Sequence, residues 1–330
     1  MKWDLPVLRS TFRGGERRRS QTRTTNKRRR WLAVLGSLST LGLTCADPAP
    51  PRLSPETPPG PLRSPIDEAH VMFIGHSLVN FHMPAMLADV AHSLGVQHEH
   101  AAHIQDGAPL KHNWERHEQA RGTDARKALP TGRYDVVVLT EAVDLDDMIR
   151  WMEPAEYGGR FYRLAVEANP DVRVFLYETW HDRNLVRRGP LGCSRGGDWR
   201  AYLDDDLGKW EGIADDIARA HRGPPVAVVP GGQAMARLVD EIRAGQVPGI
   251  DNERSLFSDT VHLSPLGNYF IALVQFSTIY RRSPEGATAA PRDAEGRVHE
   301  VPVSSARALQ RIAWDVVRGY AWSGVTERAD

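Results

Sequence analysis

The chain has 330 residues, of which 41% are hydrophobic and 25% are charged, enough apolar material to bury the core of one large domain or two small ones. Residues 1–30 hold 11 of the 42 basic residues and 2 of the 42 acidic ones, so the 31 basic and 40 acidic residues that follow give the rest of the chain a formal charge of −9. This acidic body argues against nucleic acid as a partner, and two cysteines are too few for a fold built on disulfides.

A short apolar segment, WLAVLGSLSTLGLT, follows the basic start and begins at Trp31. It has the length of a signal-peptide core and is too short to span a bilayer comfortably. We therefore predict that residues 1–46 form an export signal and that the protein is secreted or held in a bacterial cell envelope. The run KRRRWL, which begins at Lys27, resembles the twin-arginine pattern of proteins that are exported in the folded state.

The end of this segment, GLTC, resembles the cleavage box of bacterial lipoproteins, although its glycine and threonine depart from the preferred residues. Two alternatives stay open: a lipid on Cys45 would tether the protein to a membrane, and ordinary cleavage nearby would not. A basic tail with a chance apolar run is a third interpretation. Residues 47–68 are rich in proline and predict an extended linker, so the folded domain is expected over residues 69–330.

Beyond the linker, short apolar runs alternate with amphipathic segments. Five runs predict strands: HVMFIG, VQHEHAAHI, YDVVVLT, DVRVFLYET and VAVVP. Helical patterns are predicted over residues 83–95, 156–169, 199–221, 233–244, 265–280 and 304–320. This alternation predicts an α/β fold with a doubly wound, mainly parallel five-stranded sheet and helices on both faces.

The stretch FIGHSLVN places Ser77 between the first predicted strand and the first predicted helix. In a doubly wound sheet, functional groups gather in the crevice at the carboxyl ends of the strands. Ser77 could act there as a nucleophile, or it could simply cap the helix.

A second block, FSDTVHLSP, carries Asp259 and His262 just before the helix that Pro265 is expected to open. A nucleophilic serine needs a base that takes its proton and a carboxylate that orients the base, and this one loop supplies both. We therefore expect the three side chains to meet in the crevice.

These blocks, in this order, resemble those of the SGNH (GDSL-like) hydrolases over about Val71 to Pro284. GHSL stands where Gly-Asp-Ser-Leu is usual, so the resemblance is to a divergent branch. It implies a serine esterase in which Ser77, His262 and Asp259 are catalytic, with no metal and no organic cofactor. Gly107 matches the family block whose glycine N–H, together with that of the nucleophilic serine, forms the oxyanion hole.

One block departs from the family pattern: LTEAVDL stands where Gly-x-Asn-Asp is usual. Loss of an oxyanion donor typically costs about a hundred- to a thousandfold in turnover. The expectation is that Thr140 or Asn113 replaces the missing asparagine, or that the enzyme is slow. Glu141 is interpreted as a strand-end carboxylate that pairs with an arginine.

The segment ETWHD follows the fourth predicted strand, so Trp180 and His181 are expected to border the crevice. Trp180 could stack there on a sugar or acyl group, or it could belong to the core. Export and this tryptophan favour acetylated carbohydrate as the substrate, within a wider class of small-molecule or carbohydrate esters. The alternative is a non-catalytic carbohydrate-binding or cell-envelope module. The sequence carries no prediction of oligomeric state.

Two polar groups resemble metal sites but are expected not to be. The histidines of HEHAAH are His98, His100 and His103, and strand alternation places the first two on one face and the third on the other. The acidic residues of VDLDD and of Asp204 to Asp206 are interpreted as solvated loop and helix-start residues.

Overall fold

The computed structural model describes residues 58–59, 65–184, 187–188, 194–195, 199–221 and 223–325. The predicted export signal with Cys45, and most of the predicted linker, lie outside these residues. Within the described ranges, no helix combines the length and the apolar character that a membrane crossing requires.

A central sheet of six strands organises the molecule. The strands of the described chain are β1 (Glu68–Gly75), β2 (Gln97–Ile104), β3 (Arg121–Gly122), β4 (Val136–Leu139), β5 (Arg173–Tyr177), β6 (Arg187–Arg188), β7 (Ser194–Arg195) and β8 (Val226–Val229). The central sheet has the order β3-β2-β1-β4-β5-β8, and β6 and β7 form a separate antiparallel pair. The five predicted strands are all present and mutually parallel, and β3 adds an antiparallel edge that the sequence did not predict.

Helices cover both faces of this sheet. The α-helices of the described chain are α1 (His82–Ser93), α2 (Leu110–Glu115), α3 (Ala125–Ala128), α4 (Leu145–Trp151), α5 (Pro154–Ala168), α6 (Trp199–His221), α7 (Gly231–Arg243), α8 (Pro265–Tyr280) and α9 (Val303–Gly319). Helices α1, α7, α8 and α9 pack on one face, and α2, α3, α5 and α6 pack on the other. The predicted α/β class and doubly wound arrangement are confirmed.

Strand alternation divides the apolar side chains between the two layers. In β1, Val71 and Phe73 point into the layer of α1 and α8, while Met72 and Ile74 point into the layer of α5 and α6. All four side chains are fully buried, which explains why this strand is a continuous apolar run.

The strand order places a crevice next to the first strand. From β1 the chain passes to β2 on one side and then to β4 on the other, so the direction of winding reverses between β1 and β4. Ligands of doubly wound sheets bind at the carboxyl ends of the strands at such a reversal. The loop that follows β1 therefore lies where a site is expected.

Candidate active site

Ser77 lies in the tight loop between β1 and α1, and the strand end explains the loop's geometry. Gly75 is the last residue of β1 and lies very close to the end of β4. A Cβ atom on residue 75 would lie 2.7 Å from the Thr140 Cβ. Only glycine fits this close approach, so the chain can turn away from the sheet directly after the strand. Ser77 is partly buried two residues further on.

Asn80, not Ser77, caps helix α1. The Asn80 Oδ1 accepts hydrogen bonds from the N–H groups of His82, at 2.7 Å, and Met83, at 3.0 Å. Its Nδ2 donates to Oδ1 of Asn268 in α8, at 2.9 Å, which joins the serine loop to the helix that follows the Asp259 loop. The helix-cap interpretation of Ser77 is therefore wrong, and the serine hydroxyl is available for other chemistry.

His262 brings the serine and the aspartate into one hydrogen-bonded chain. Its Nε2 lies 2.9 Å from Ser77 Oγ, and its Nδ1 lies 2.6 Å from Asp259 Oδ2. A proton on Nδ1 that is donated to the carboxylate leaves Nε2 as the acceptor for the serine O–H. This is the geometry of a nucleophile, its base and the group that orients the base.

The carboxylate of Asp259 is fixed by its own loop. Beside the imidazole, it accepts hydrogen bonds from the backbone N–H groups of Val261, at 2.8 Å, and His262, at 2.7 Å. The bond with the His262 side chain, followed by these two backbone donors, lowers the pKa of Asp259 to about 2. The carboxylate therefore stays ionised over the whole range in which most enzymes work.

Residues of the loop that follows β5 form hydrogen bonds with the Asp259 loop. Trp180 Nε1 donates to the Val261 carbonyl at 2.8 Å, and the Thr260 hydroxyl donates to Asp182 Oδ2 at 2.6 Å. The backbone N–H of Arg183 adds a bond of 2.9 Å to the Thr260 carbonyl. The segment between the aspartate and the histidine is thus anchored at two consecutive residues.

The prediction that Trp180 and His181 border the crevice is wrong. Trp180 is completely buried, and the core interpretation holds for it because its ring packs with the α7 and α8 layer. His181 is 2% exposed, and its Nε2 lies 2.5 Å from Asp206 Oδ2. A position after a strand end indicates closeness to the crevice but not the direction in which a side chain points.

Asp206 also departs from its predicted solvated state. It is 2% exposed, and besides His181 it accepts a hydrogen bond from Lys209 Nζ at 2.8 Å. Asp144, Asp206 and His181 lie close enough to share a metal ion, but the Lys209 ammonium already supplies a positive charge to Asp206. Asp144 does start a helix as predicted, since it accepts from the N–H of Asp146.

The HEHAAH histidines bond to protein groups. His98 Nδ1 lies 2.6 Å from the Tyr280 hydroxyl. His103 contacts the carbonyls of Thr123 and Asn113, each at 3.2 Å. His98 and His103 are buried, whereas His100 is exposed, so the three do not face one common point.

Two backbone N–H groups are available for an oxyanion. Strand pairing aligns Gly75 of β1 with Ile104 of β2, so Ser77 and Gly107 leave adjacent strands within three residues of the paired ends. Gly107 is exposed and has φ +66°, a left-handed conformation that favours glycine. Among the described residues, no acceptor bonds to the N–H of Ser77 or of Gly107.

The two side chains expected to replace the missing asparagine are in the wrong environment for that role. Thr140 is fully buried, with its hydroxyl packed toward Gly75 and out of contact with solvent. Asn113 is also fully buried, and its Nδ2 donates to the carbonyls of Ala108 and Pro109. Neither amide nor hydroxyl can reach a substrate in this arrangement, so Thr140 and Asn113 are not oxyanion donors here.

Among the described residues, the Glu141 carboxyl group pairs with backbone N–H groups and not, as predicted, with an arginine. Its carboxyl group accepts from Ala142 at 2.7 Å and from Leu110, the first residue of α2, at 3.3 Å. Its carbonyl contacts His76 Nε2 at 3.0 Å. Glu141 therefore links the loop that carries Ser77 to the helix that follows Gly107.

Burial controls the charge of this group of residues. Burial raises the pKa of Glu141 to about 8, against the opposing effect of its backbone donors. Burial likewise lowers the pKa of His76, so this histidine is neutral and its Nε2–H can donate to the Glu141 carbonyl. The histidine of GHSL thus anchors the serine loop to the end of β4.

A second buried carboxyl occupies the matching place after β5. Glu178 is 1% exposed and accepts from the backbone N–H and the Nε2 of Gln233 in α7, both at 3.1 Å. Burial raises the pKa of Glu178 to about 8 as well. Each of these glutamates binds its proton more tightly in the folded chain than in the unfolded chain.

These two glutamates therefore contribute stability that is lost as the pH rises from about 4.5, the ordinary pKa of glutamate, toward about 8. Buried histidines, whose pKa values lie below 6.5, act in the opposite sense at lower pH, so the loss is clearest between pH 6.5 and 8. Each buried group contributes a slope of at most about 1.4 kcal/mol per pH unit. Urea unfolding between pH 5 and 8 measures this slope, and Glu141→Gln and Glu178→Gln should each flatten it. Glu285→Gln, at an exposed position, is the matched control, and slopes equal to the wild type in all three variants would contradict the assignment.

The structure is a doubly wound α/β fold in which Ser77 and Gly107 follow neighbouring parallel strands and the Asp259 loop directly precedes α8. Comparison with solved structures finds a DUF4886 family protein from Bacteroides uniformis, with a TM-score of 0.51 and 15% identity, covering 76% of this chain and 95% of that one. A likeness at this identity concerns the fold alone.

A second solved structure matches less well than this one. A carbohydrate esterase family 3 protein from Talaromyces cellulolyticus has a TM-score of 0.39 and 13% identity, covering 64% of this chain and 96% of that one. Models of known protein families and curated protein sequences give no match to this chain. The chemistry of the site must therefore be argued from its own residues.

Proposed function

We propose that the protein is a serine esterase that hydrolyses carboxylic esters, with O-acetyl groups on carbohydrate as its substrate class. The observation that carries the proposal is the unbroken chain from Ser77 Oγ through the His262 imidazole to the Asp259 carboxylate. Ser77 and His262 lie 185 positions apart in the chain, and Asn80, not Ser77, caps the helix that follows the serine.

In the proposed reaction, Ser77 Oγ attacks the ester carbonyl while His262 Nε2 takes the hydroxyl proton. The negative charge that develops on the carbonyl oxygen is stabilised by the N–H groups of Ser77 and Gly107. His262 then returns the proton to the leaving alkoxide, which departs as an alcohol and leaves an acyl group on Ser77. Water, activated by the same imidazole, hydrolyses this acyl-enzyme.

A non-catalytic carbohydrate-binding or cell-envelope module is the second candidate function. The observation that favours it is the burial of Thr140 and Asn113, the two side chains that were expected to replace the oxyanion asparagine. Loss of one donor typically costs about a hundred- to a thousandfold in turnover, which slows an esterase without abolishing it.

A fluorophosphonate probe and a chromogenic acetate ester separate the two functions. An esterase should hydrolyse 4-nitrophenyl acetate with saturation kinetics, and the probe should label one residue, Ser77, as mapped by mass spectrometry. Labelling should disappear in His262→Ala, because the serine then lacks its base. A protein that shows neither labelling nor saturable hydrolysis would support the binding module.

Export to the cell envelope, with Cys45 as the candidate site of a lipid anchor, is proposed from residues 1–46 alone. A lipidated protein would remain with membranes after washing, because buried acyl chains favour the bilayer. The mass of the mature N-terminus distinguishes the two routes, since diacylglycerol on Cys45 adds mass and simple cleavage does not. An unprocessed chain in the cytosol would exclude both.

A further inference from the structure

An open pocket of about 450 Å³ borders the Asp259 loop. Asp259 and Thr260 form one wall, and Ser77 and His262 are not part of it. The Asp259 carboxylate connects this pocket wall to the serine through the His262 imidazole and its two hydrogen bonds. An ester that reaches both the serine and the pocket must therefore be longer than a single acyl group.

Three arginines give this pocket a positive charge. Arg183, Arg243 and Arg254 all line it, and among the described lining residues only Glu253 and Asp259 are acidic. Glu253 is shared: it lies 2.8 Å from an Arg183 nitrogen and 2.6 Å from Arg243 Nε. Within the described chain, no carboxylate pairs with the exposed Arg254 guanidinium.

Aromatic side chains hold the pocket in a fixed shape. Trp199 and Phe257 are 7% and 8% exposed, and their rings meet edge to face at 6.0 Å. The Arg183 guanidinium lies over the Phe257 ring, 4.8 Å from its centroid, while it also pairs with Glu253. Arg183 is thus immobilised from two directions, which lowers the entropic cost of binding a ligand beside it.

We propose that this pocket is a subsite for a negatively charged group, a carboxylate or a phosphate, on the ester substrate. Guanidinium groups bind both through paired, charge-assisted hydrogen bonds, and no carboxylate among the described residues pairs with the exposed Arg254 side chain. The inference rests on the proposed esterase function and narrows its substrate class to acidic esters, such as acetylated saccharides with an anionic substituent near the acetyl group.

The test uses three methyl glucosides that are acetylated at the same hydroxyl and differ only at C6: the neutral alcohol, the carboxylate and the phosphate. Wild-type kcat/KM should be about tenfold or more higher for at least one anionic ester than for the neutral one, as a charge-assisted bond predicts. The anionic ester with the larger gain in kcat/KM shows whether the subsite prefers a carboxylate or a phosphate. The preference should shrink as salt is raised, because exposed charges are screened.

Arg254→Gln should reduce this preference to less than about threefold, mainly by lowering kcat/KM for the anionic ester. Arg163 is an exposed residue of helix α5, on the other face of the sheet. Arg163→Gln removes the same charge as Arg254→Gln and should keep the wild-type preference. Equal rates for all three esters in the wild type, or an unchanged preference in Arg254→Gln, would overturn the subsite.

Failure of the esterase proposal can be told apart from failure of the subsite. If the wild type hydrolyses none of the esters, calorimetric titration with methyl glucuronide and with glucose 6-phosphate tests the pocket by binding alone. A Kd that is weaker by about tenfold in Arg254→Gln and unchanged in Arg163→Gln supports the subsite. No binding by the wild type, or equal binding by all variants, overturns it.

Discussion

Ser77→Ala is expected to lower kcat for ester hydrolysis by at least a thousandfold while the protein stays folded. The hydroxyl supplies the atom that forms the acyl-enzyme, and alanine has no atom that can replace it. His262→Ala should cost a similar factor, because Nε2 is the base that contacts the serine. Steady-state turnover of 4-nitrophenyl acetate, with circular dichroism as the folding check, measures both effects.

The double variant Ser77→Ala/His262→Ala should be little slower than either single variant, since residues that act as one unit lose their joint contribution at the first replacement. Asp259→Asn should cost at least a hundredfold, because an amide can leave the imidazole in the wrong tautomer. Ser304→Ala, at an exposed serine in the first turn of α9, is the matched control. Independent, multiplying losses in the double variant would contradict the triad.

Trp180→Ala is expected to lower the free energy of unfolding by about 3–5 kcal/mol, the usual cost of truncating a buried large aromatic side chain. The ring is completely enclosed, so its removal leaves a cavity between the sheet and the α8 layer. The same change leaves the Val261 carbonyl without its 2.8 Å donor. Urea unfolding at fixed pH measures the loss.

Trp180→Phe separates packing from hydrogen bonding, because phenylalanine keeps an aromatic ring and lacks the N–H. It should cost less stability than alanine yet lower kcat with little change in KM, since the freed Val261 shifts His262 and not a substrate contact. Trp151→Ala, at a tryptophan that is 64% exposed, should change stability by less than about 0.5 kcal/mol. An equal loss in Trp151→Ala and Trp180→Ala would contradict the argument.

The strands and long helices were predictable because their signals are local. Continuous apolar runs gave the five parallel strands, and both ends of α8 were predicted to the residue. For α8 the reason is visible: Pro265 stands at the first helical position, and Ser264 Oγ accepts from the Gly267 N–H. Strand β3 has only two residues, and its pairing with β2 depends on a tertiary contact that no short pattern encodes.

The order of the site blocks could be read from the sequence, but the direction of individual side chains could not. Ser77, Asp259 and His262 meet as expected because each follows or precedes a predictable element. Some missed features did leave a signal. Asn80 precedes a helix as good caps do, and Asp206 shares the helical spacing of the buried Tyr202 and Trp210.

Other features of the site left no signal in the sequence. Whether the Glu141 carboxyl finds an arginine or two backbone N–H groups depends on how α2 approaches the end of β4. The inward turn of Trp180 depends in the same way on the Asp259 loop arriving beside it. Such contacts join segments far apart in the chain, and sequence periodicity carries no information about them.

The serine and its base lie 185 residues apart in the chain, one after the first strand and the other just before α8. During synthesis, a ribosome must release most of the domain before His262 can approach Ser77. In every shorter nascent chain, Ser77 lacks the base that activates it. Contacts that span this much sequence also form late in folding, since closing long loops costs entropy before any bond is gained. Reactivity of Ser77 toward a fluorophosphonate would therefore report the stage of folding at which the Asp259 loop reaches the serine.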